Sequence, residues 1–284
     1  MKIKLSAFAD EYSGWFDKQI EGLKKFNIPY IEIRGIDGKN ISLYTPEDAK
    51  VWKKAFDENG IKVWAIGSPV GKVDITKPFD EHLAVVENLC KIANVLDCDK
   101  IRGFSFYNTA NCDKEVVVEK LNQIIELVES YGITLYHENE KDIFGENVEN
   151  CVYLLDSLPK LKCVYDPANF VQCNVDVATA LKTLQSRVDY YHIKDAYYKD
   201  GAVVPAGCGD GMVDEMVAGI QKDTVLTLEP HLTVFSGYSD IDKTELKTHY
   251  KYPSRAEAFG DAVKHIKDIL IKNGYKEIGD QWIK

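Results

Sequence analysis

The feature that most constrains this 284-residue chain is a recurrence. Short runs rich in apolar, β-branched and aromatic residues begin at intervals of roughly 26 to 38 residues, each followed by a stretch whose apolar residues have helical spacing. Runs of this kind belong to strands covered on both faces, as in parallel sheets. Parallel neighbours need a crossover of a dozen residues or more, which a helix supplies. Eight units count out, with strands near 3–8, 30–34, 62–67, 100–106, 133–138, 162–166, 188–194 and 224–229. An α/β fold in the form of a closed (β/α)8 TIM barrel, one domain over residues 1–284, is the economical arrangement. The rival is an open doubly wound sheet, which usually carries a GxGxxG turn after its first strand; here that turn reads AFADEYSG. No linker rich in Pro, Gly or Ser divides the chain, and no low-complexity segment interrupts it.

Local signals agree with the period. PEDAKVWKKAFDENG (46–60) has Pro at its start, acids in its first turn and Gly60 at its stop. In the first unit Trp15, Phe16, Ile20, Leu23 and Phe26 fall at near-helical spacing. The segment 231–254 is long for a connection after the last strand, and long loops in that place often serve as lids.

Four strands end in a metal-ligating side chain: ITLYHENE (133–140) delivers Glu138, KCVYDPANF Asp166, DYYHIKDA His192 and VLTLEPHL Glu229. In a barrel these are the fifth to eighth strands, and neighbouring strand ends lie about 4.8 Å apart, so all four reach one point. Taken singly, each carboxylate is as readily a helix cap or a lysine partner, and His192 a hydrogen-bonded core histidine. As a set, buried carboxylates crowded at one rim are costly without a cation. Three oxygen donors and one imidazole suit one divalent ion: Mn²⁺, Co²⁺, Mg²⁺ or Zn²⁺.

Alternation along the strands supplies further candidates. Lys194 shares a face with His192, and His231 with Glu229, so both are expected to point into the cavity and bind substrate, the alternatives being a salt bridge to a neighbouring acid for Lys194 and closure of the loop behind it for His231. Glu32 and Arg34 share another face; Arg34 is expected to grip a substrate hydroxyl or carboxylate, with a structural ion pair as the alternative. Lys72 and Arg102 are further substrate-binding candidates. His137 points opposite to Glu138, which favours a supporting role over direct catalysis. AGCGDG (206–211) has glycines that could cradle a phosphate but lacks the GK[ST] ending, so a tight turn framing the cavity mouth is the favoured reading and a substrate phosphate the alternative. Trp15, Phe104, Phe106, Tyr107 and Phe235 are available for a sugar-stacking wall, core packing being the ordinary explanation of each.

The order of AFADE, YIEIRGIDGKNI, GSPVGK, HENE, YDPANF, HIKDA, VPAGCGDG and LEPHL resembles that of the xylose-isomerase-like TIM barrels, or sugar phosphate isomerase/epimerase superfamily, over essentially the whole chain. The resemblance implies that Glu138, Asp166, His192 and Glu229 bind the metal and that Glu138 and Glu229 act as acid and base. Asn169 stands where many relatives carry histidine; it is kept as a substrate-binding position, although the histidine's role does not transfer. Relatives often dimerise, so a homo-oligomer is compatible with the resemblance.

The implied function is a metal-dependent isomerase or epimerase of a sugar, keto-sugar or related polyol, working by α-proton transfer through a metal-stabilised enediolate. A dehydratase or lyase on a related keto-sugar or keto-glycoside would share the enediolate and differ in forming an unsaturated product. An endonuclease IV type hydrolase would need more metal ligands, mostly histidines, and a basic DNA surface. The chain has six histidines and a net charge of −10, which repels polyanions, so neither nucleic acid nor an anionic membrane is an expected partner. A non-catalytic sugar-binding protein would have no need of both proton-transfer glutamates. Seven cysteines without a CxxC pair read as reduced thiols, and no apolar run approaches membrane-spanning length; both point to the cytoplasm.

Overall fold

The computed structural model describes residues 1–234 and 246–284. Eight parallel strands close on themselves: β1 Lys2–Ala7, β2 Tyr30–Ile33, β3 Lys62–Gly67, β4 Lys100–Gly103, β5 Thr134–Glu138, β6 Lys162–Tyr165, β7 Val188–Ile193 and β8 Thr224–Leu228. Each pairs with its successor in the chain, and β8 returns to β1 with Leu226 beside Leu5 and Leu228 beside Ala7. Helices α1 Phe16–Lys25, α2 Pro46–Asn59, α3 Asp80–Val95, α4 Lys114–Ser130, α5 Val148–Ser157, α6 Pro167–Gln172, α7 Val177–Leu184, α8 Val213–Ala218 and α9 Arg255–Lys272 surround it. The architecture is a (β/α)8 barrel. No helix among the described residues is long and apolar enough to cross a membrane.

The period-2 alternation of each strand separates two interiors. Leu5, Ile31, Ile33, Leu135, Cys163 and Leu226 face outward into the apolar layer beneath the helices. Val164, Tyr190 and Val225 face inward and, with Trp64 and Tyr136, form a separate plug within the barrel. Trp64 meets Tyr190 edge-on at 5.8 Å, and Tyr136 lies 5.5 Å from Tyr190. One step further along the strands the inward residues become polar: Glu32, Arg102, Glu138, Asp166 and His192. The aromatic plug is thus the floor on which a polar layer stands.

Four local features depart from the sequence expectations. Trp15 is 68 % exposed and precedes α1, so it belongs neither to the core nor to a sugar-facing wall. β4 stops at Gly103 instead of running to 106, because the chain leaves the barrel to pair with the loop after β3: Phe104 and Phe106 donate to the carbonyls of Val70 and Gly71 at 2.8 and 2.9 Å. Phe106 adopts φ 69°, which turns its ring into the core. α6 starts at Pro167 with Asp166 as its cap, a helix that the Asp-Pro pair encodes locally. The C-terminal hairpin, Lys276–Ile278 with Gln281–Ile283, adds antiparallel to β1 and buries Trp282. Residues 235–245 of the long segment after β8, Phe235 among them, lie outside the described residues.

Candidate active site

The ends of β5 to β8 bring Glu138, Asp166, His192 and Glu229 together, all buried, with one ligand atom from each lying within 4.8 Å of the others. His192 Nδ1 lies 2.9 Å from Glu138 Oε1 and 3.1 Å from Glu229 Oε2. Asp166 divides its two oxygens. Oδ1 accepts the Asn169 backbone N–H at 3.0 Å, capping α6, while Oδ2 is directed at the cluster, 2.9 Å from Lys194 Nζ. The helix-capping alternative therefore holds for one oxygen only. Buried Asp166 Oδ2 and Glu229 Oε2 have no aligned hydrogen-bond donor, which is unusual for carboxylate oxygens removed from water.

The charges respond to this crowding. Burial pushes the Asp166 carboxyl up to about 7; Lys194 opposes the rise, and the Glu229 and Glu138 carboxylates add to it. Burial also works against the charge on Glu229, but Lys194 and the His192 and His231 rings hold it well below the usual range. His192 is raised despite burial, because Glu138 and Glu32 favour its charged form. Too many carboxylate oxygens thus face too few donors. A divalent cation at this point would take the orphaned oxygens as ligands, so the donor set fits such an ion.

Lys194 and His231 both reach the cluster. Lys194 bridges toward Asp166 and Glu229, the latter at 3.6 Å, and its charge is strongly favoured over burial by those carboxylates and Glu140. His231 Nε2 lies 3.5 Å from Glu229 Oε1 and 3.4 Å from Glu11 Oε1, while its backbone N–H donates to Glu11 Oε2 at 2.7 Å. Burial and then Lys194 push this imidazole down to about 4. Arg34 is the cation of this corner: it donates to both oxygens of Asp10 at 2.9 and 3.0 Å and to Glu229 Oε1 at 2.8 Å. The ion-pair alternative for Arg34 is thus met, with Asp10, Glu11 and Glu229 as partners in place of its strand neighbour Glu32.

Arg102 is central, with Nε 3.0 Å from Glu138 Oε2 and Nη1 donating to the Ser68 carbonyl at 2.7 Å. Asn169 Nδ2 donates to the Asn139 carbonyl at 2.9 Å and lies 3.3 Å from Glu138 Oε1. Lys72 pairs with Glu140 at 3.2 Å and rests on the Phe104 ring. One candidate residue and one candidate loop stand apart from the cleft. His137 is no part of the cleft wall: its strand parity turns the ring outward, where Nε2 meets Ser105 Oγ at 2.9 Å and burial pushes it down to about 4. The AGCGDG loop does not offer its N–H groups to a ligand. Gly207 and Gly209 donate to Asp195 Oδ2 at 2.9 and 3.0 Å, and Gly211 to Oδ1 at 2.8 Å, so the protein's own carboxylate occupies the anion cradle.

Above the cluster opens a cleft of about 930 Å³, with Glu138, Glu229, Arg34 and Arg102 at its base and Lys72, Phe104 and Tyr107 in its wall. Three residues of the site were not singled out from sequence. Asp10 and Glu11 sit in AFADE, whose paired acids after a strand end were the available signal. Glu32 received no role, and local sequence carries no sign of its partner, His192.

A family model described as xylose isomerase-like TIM barrel matches residues 20–271. Among solved structures, the IolI protein with a bound zinc atom is 16% identical, the match covering 95% of this chain and 99% of that one at a TM-score of 0.72. D-allulose 3-epimerase from Methylomonas sp., in complex with D-allulose, is 16% identical over 94% of this chain and 97% of its own, TM-score 0.71. The probable 3-DHS dehydratase AsbF of Bacillus anthracis, involved in petrobactin synthesis, is 18% identical over 81% and 92%, TM-score 0.66. At these identities the likeness is one of fold. No curated protein matches the chain by sequence.

Proposed function

The chain belongs to the xylose isomerase-like TIM barrel family, and on that premise we propose that it is a divalent-metal-dependent isomerase or epimerase of a sugar or keto-sugar. The observation that carries this reading is the convergence of Glu138, Asp166, His192 and Glu229 around two buried carboxylate oxygens that have no aligned hydrogen-bond donor. These four residues would hold the ion. The chemistry such an ion supplies when bound is charge stabilisation beside a substrate carbonyl and its neighbouring hydroxyl.

The protein's own groups supply the proton transfers. Glu229, held ionised by Lys194 and His192, takes the proton from the carbon next to the carbonyl. Glu138 returns a proton, to the same carbon in an epimerase or across the carbonyl pair in an isomerase. Lys194, kept charged by Asp166 and Glu229, donates a hydrogen bond to a substrate oxygen as negative charge grows there. Arg34 holds Glu229 in place and Arg102 holds Glu138.

Incubation with a panel of sugars and 3-keto-sugars in D₂O, read by NMR, tests the reading. Glu229→Gln is expected to lower deuterium entry by roughly 10²- to 10⁴-fold, the usual contribution of a positioned base. Undiminished exchange in that variant would reject Glu229 as the base. The size of the cleft favours one second reading, elimination from a keto-glycoside. About 930 Å³ lies near the upper end of the ~300–1,000 Å³ of small-molecule sites and leaves room for a leaving group. An unsaturated product would decide for the lyase.

A further inference from the structure

His192 offers the cluster only one of its two nitrogens. Nδ1 faces Glu138 and Glu229, while Nε2 faces away, 3.2 Å from Glu32 Oε2. Glu32 lies next to the end of β2, three strand steps from β7 around the barrel, and is fully buried. It forms no part of the cleft wall, so it is not placed to touch substrate. Its other oxygen accepts from the Tyr190 hydroxyl at 3.1 Å, and Arg102 Nε stands 3.7 Å away. The imidazole plane is held independently by edge contacts with Phe8 at 5.2 Å and Tyr190 at 5.6 Å. Packing fixes where the ring lies; it does not decide which nitrogen bears the proton.

We propose that Glu32 is a positioning residue that holds the proton of His192 on Nε2 and so keeps Nδ1 as the ligand atom for a divalent cation. A carboxylate only accepts, so without a cation both ring nitrogens donate, Nδ1 to Glu138 and Glu229 and Nε2 to Glu32; when a cation takes Nδ1, the ring keeps its one proton on Nε2, facing Glu32. With the proton secured there, the lone pair of Nδ1 is aimed at the carboxylate cluster, and the partial negative charge passed through the ring makes it a better donor to a cation. Tyr190 completes the relay by fixing the rotamer of Glu32, which explains a buried tyrosine hydroxyl directly beneath a polar layer. The part that concerns Nδ1 as a ligand rests on the four-ligand reading above; the hydrogen bond from Nε2 to Glu32 does not.

The test uses the full chain labelled with ¹⁵N-histidine, and its two readouts fail separately. In metal-free protein the Nε2–H proton of His192, assigned by its loss in His192→Asn, is expected far downfield, as for a proton shared with a carboxylate. Glu32→Gln should move it upfield while leaving the far-ultraviolet circular dichroism unchanged. Mn²⁺ titration should show one ion per chain in the parent, with Kd rising roughly 10- to 100-fold in Glu32→Gln. Tyr190→Phe, which keeps the ring and removes only its hydroxyl, should shift the same resonance by less, and it serves if Glu32→Gln does not fold. An unmoved resonance in the variants, or a Glu32→Gln Kd within two-fold of the parent, overturns the proposal. A parent chain that takes up no Mn²⁺ sinks the four-ligand reading, and the resonance alone then decides the role of Glu32.

Discussion

Asp195 lends itself to a direct energetic test, because its carboxylate does for the loop 206–211 what a bound anion would otherwise do. Replacing it by alanine strands three glycine N–H groups that now point at one spot. Gly211 is buried, so its orphaned N–H costs about 1–3 kcal/mol, whereas Gly207 and Gly209 lie near water and lose about 1 kcal/mol each. The expected loss is therefore about 3–5 kcal/mol, read as a lower urea midpoint at constant m. Asp195→Asn should fare little better, since its amide keeps one acceptor and turns a donor toward the remaining N–H groups. Formate, a free carboxylate small enough for the gap, should restore part of the midpoint to Asp195→Ala and none to the parent. A midpoint for Asp195→Ala within about 1 kcal/mol of the parent would refute the reasoning, for it would mean that water serves these N–H groups as well as the carboxylate does.

Two further outcomes follow from the loop after β3. Gly71 has φ 81°, and a Cβ there would stand 2.1 Å from the Phe104 carbonyl oxygen; Gly71→Ala is expected to cost more than about 2 kcal/mol by urea denaturation, with a change below 0.5 kcal/mol counting against the tight β3–β4 loop pairing. His82 Nε2 accepts the Gly71 N–H at 2.9 Å, and burial, with Lys120 adding to it, pushes that imidazole down to about 4. The unfolded chain binds this proton near 6.5 and the folded one only near 4, so the stability is fully present above about 6.5 and is lost as pH falls toward 4, by about 3 kcal/mol. His137 and His231 act in the same direction, so His82→Gln should flatten part of the fall in a pH series of urea midpoints; an unchanged slope would mean that His82 is protonated in the fold.

The strand ends that make the cluster were legible because both signals are local. An apolar run of five or six residues announces a buried strand, and the hydrophilic residue that stops it must lie at the rim. Four such stops on consecutive strands place Glu138, Asp166, His192 and Glu229 around one point once the barrel closes. Strand parity likewise read Lys194 and His231 inward and His137 outward, as the hydrogen bond of His137 to Ser105 bears out. Where the local reading was incomplete, a neighbour further along the chain had intervened. The glycines of 206–211 do form an anion cradle, but Asp195 fills it, and β4 is cut short because the β3 loop claims its backbone.

By itself, then, the sequence determined the repeating βα unit, the inward and outward faces of each strand and the identity of the four converging side chains, since all of these follow from spacing along one segment. Only the tertiary structure decided how those groups are paired. Arg34 meets Glu229 across 195 residues, and His192 turns its second nitrogen to Glu32 across 160. Closure of β8 onto β1 brings such ends across one mouth, and in that dry, crowded layer each charge takes whichever partner lies nearest in space, which no periodicity along the chain records.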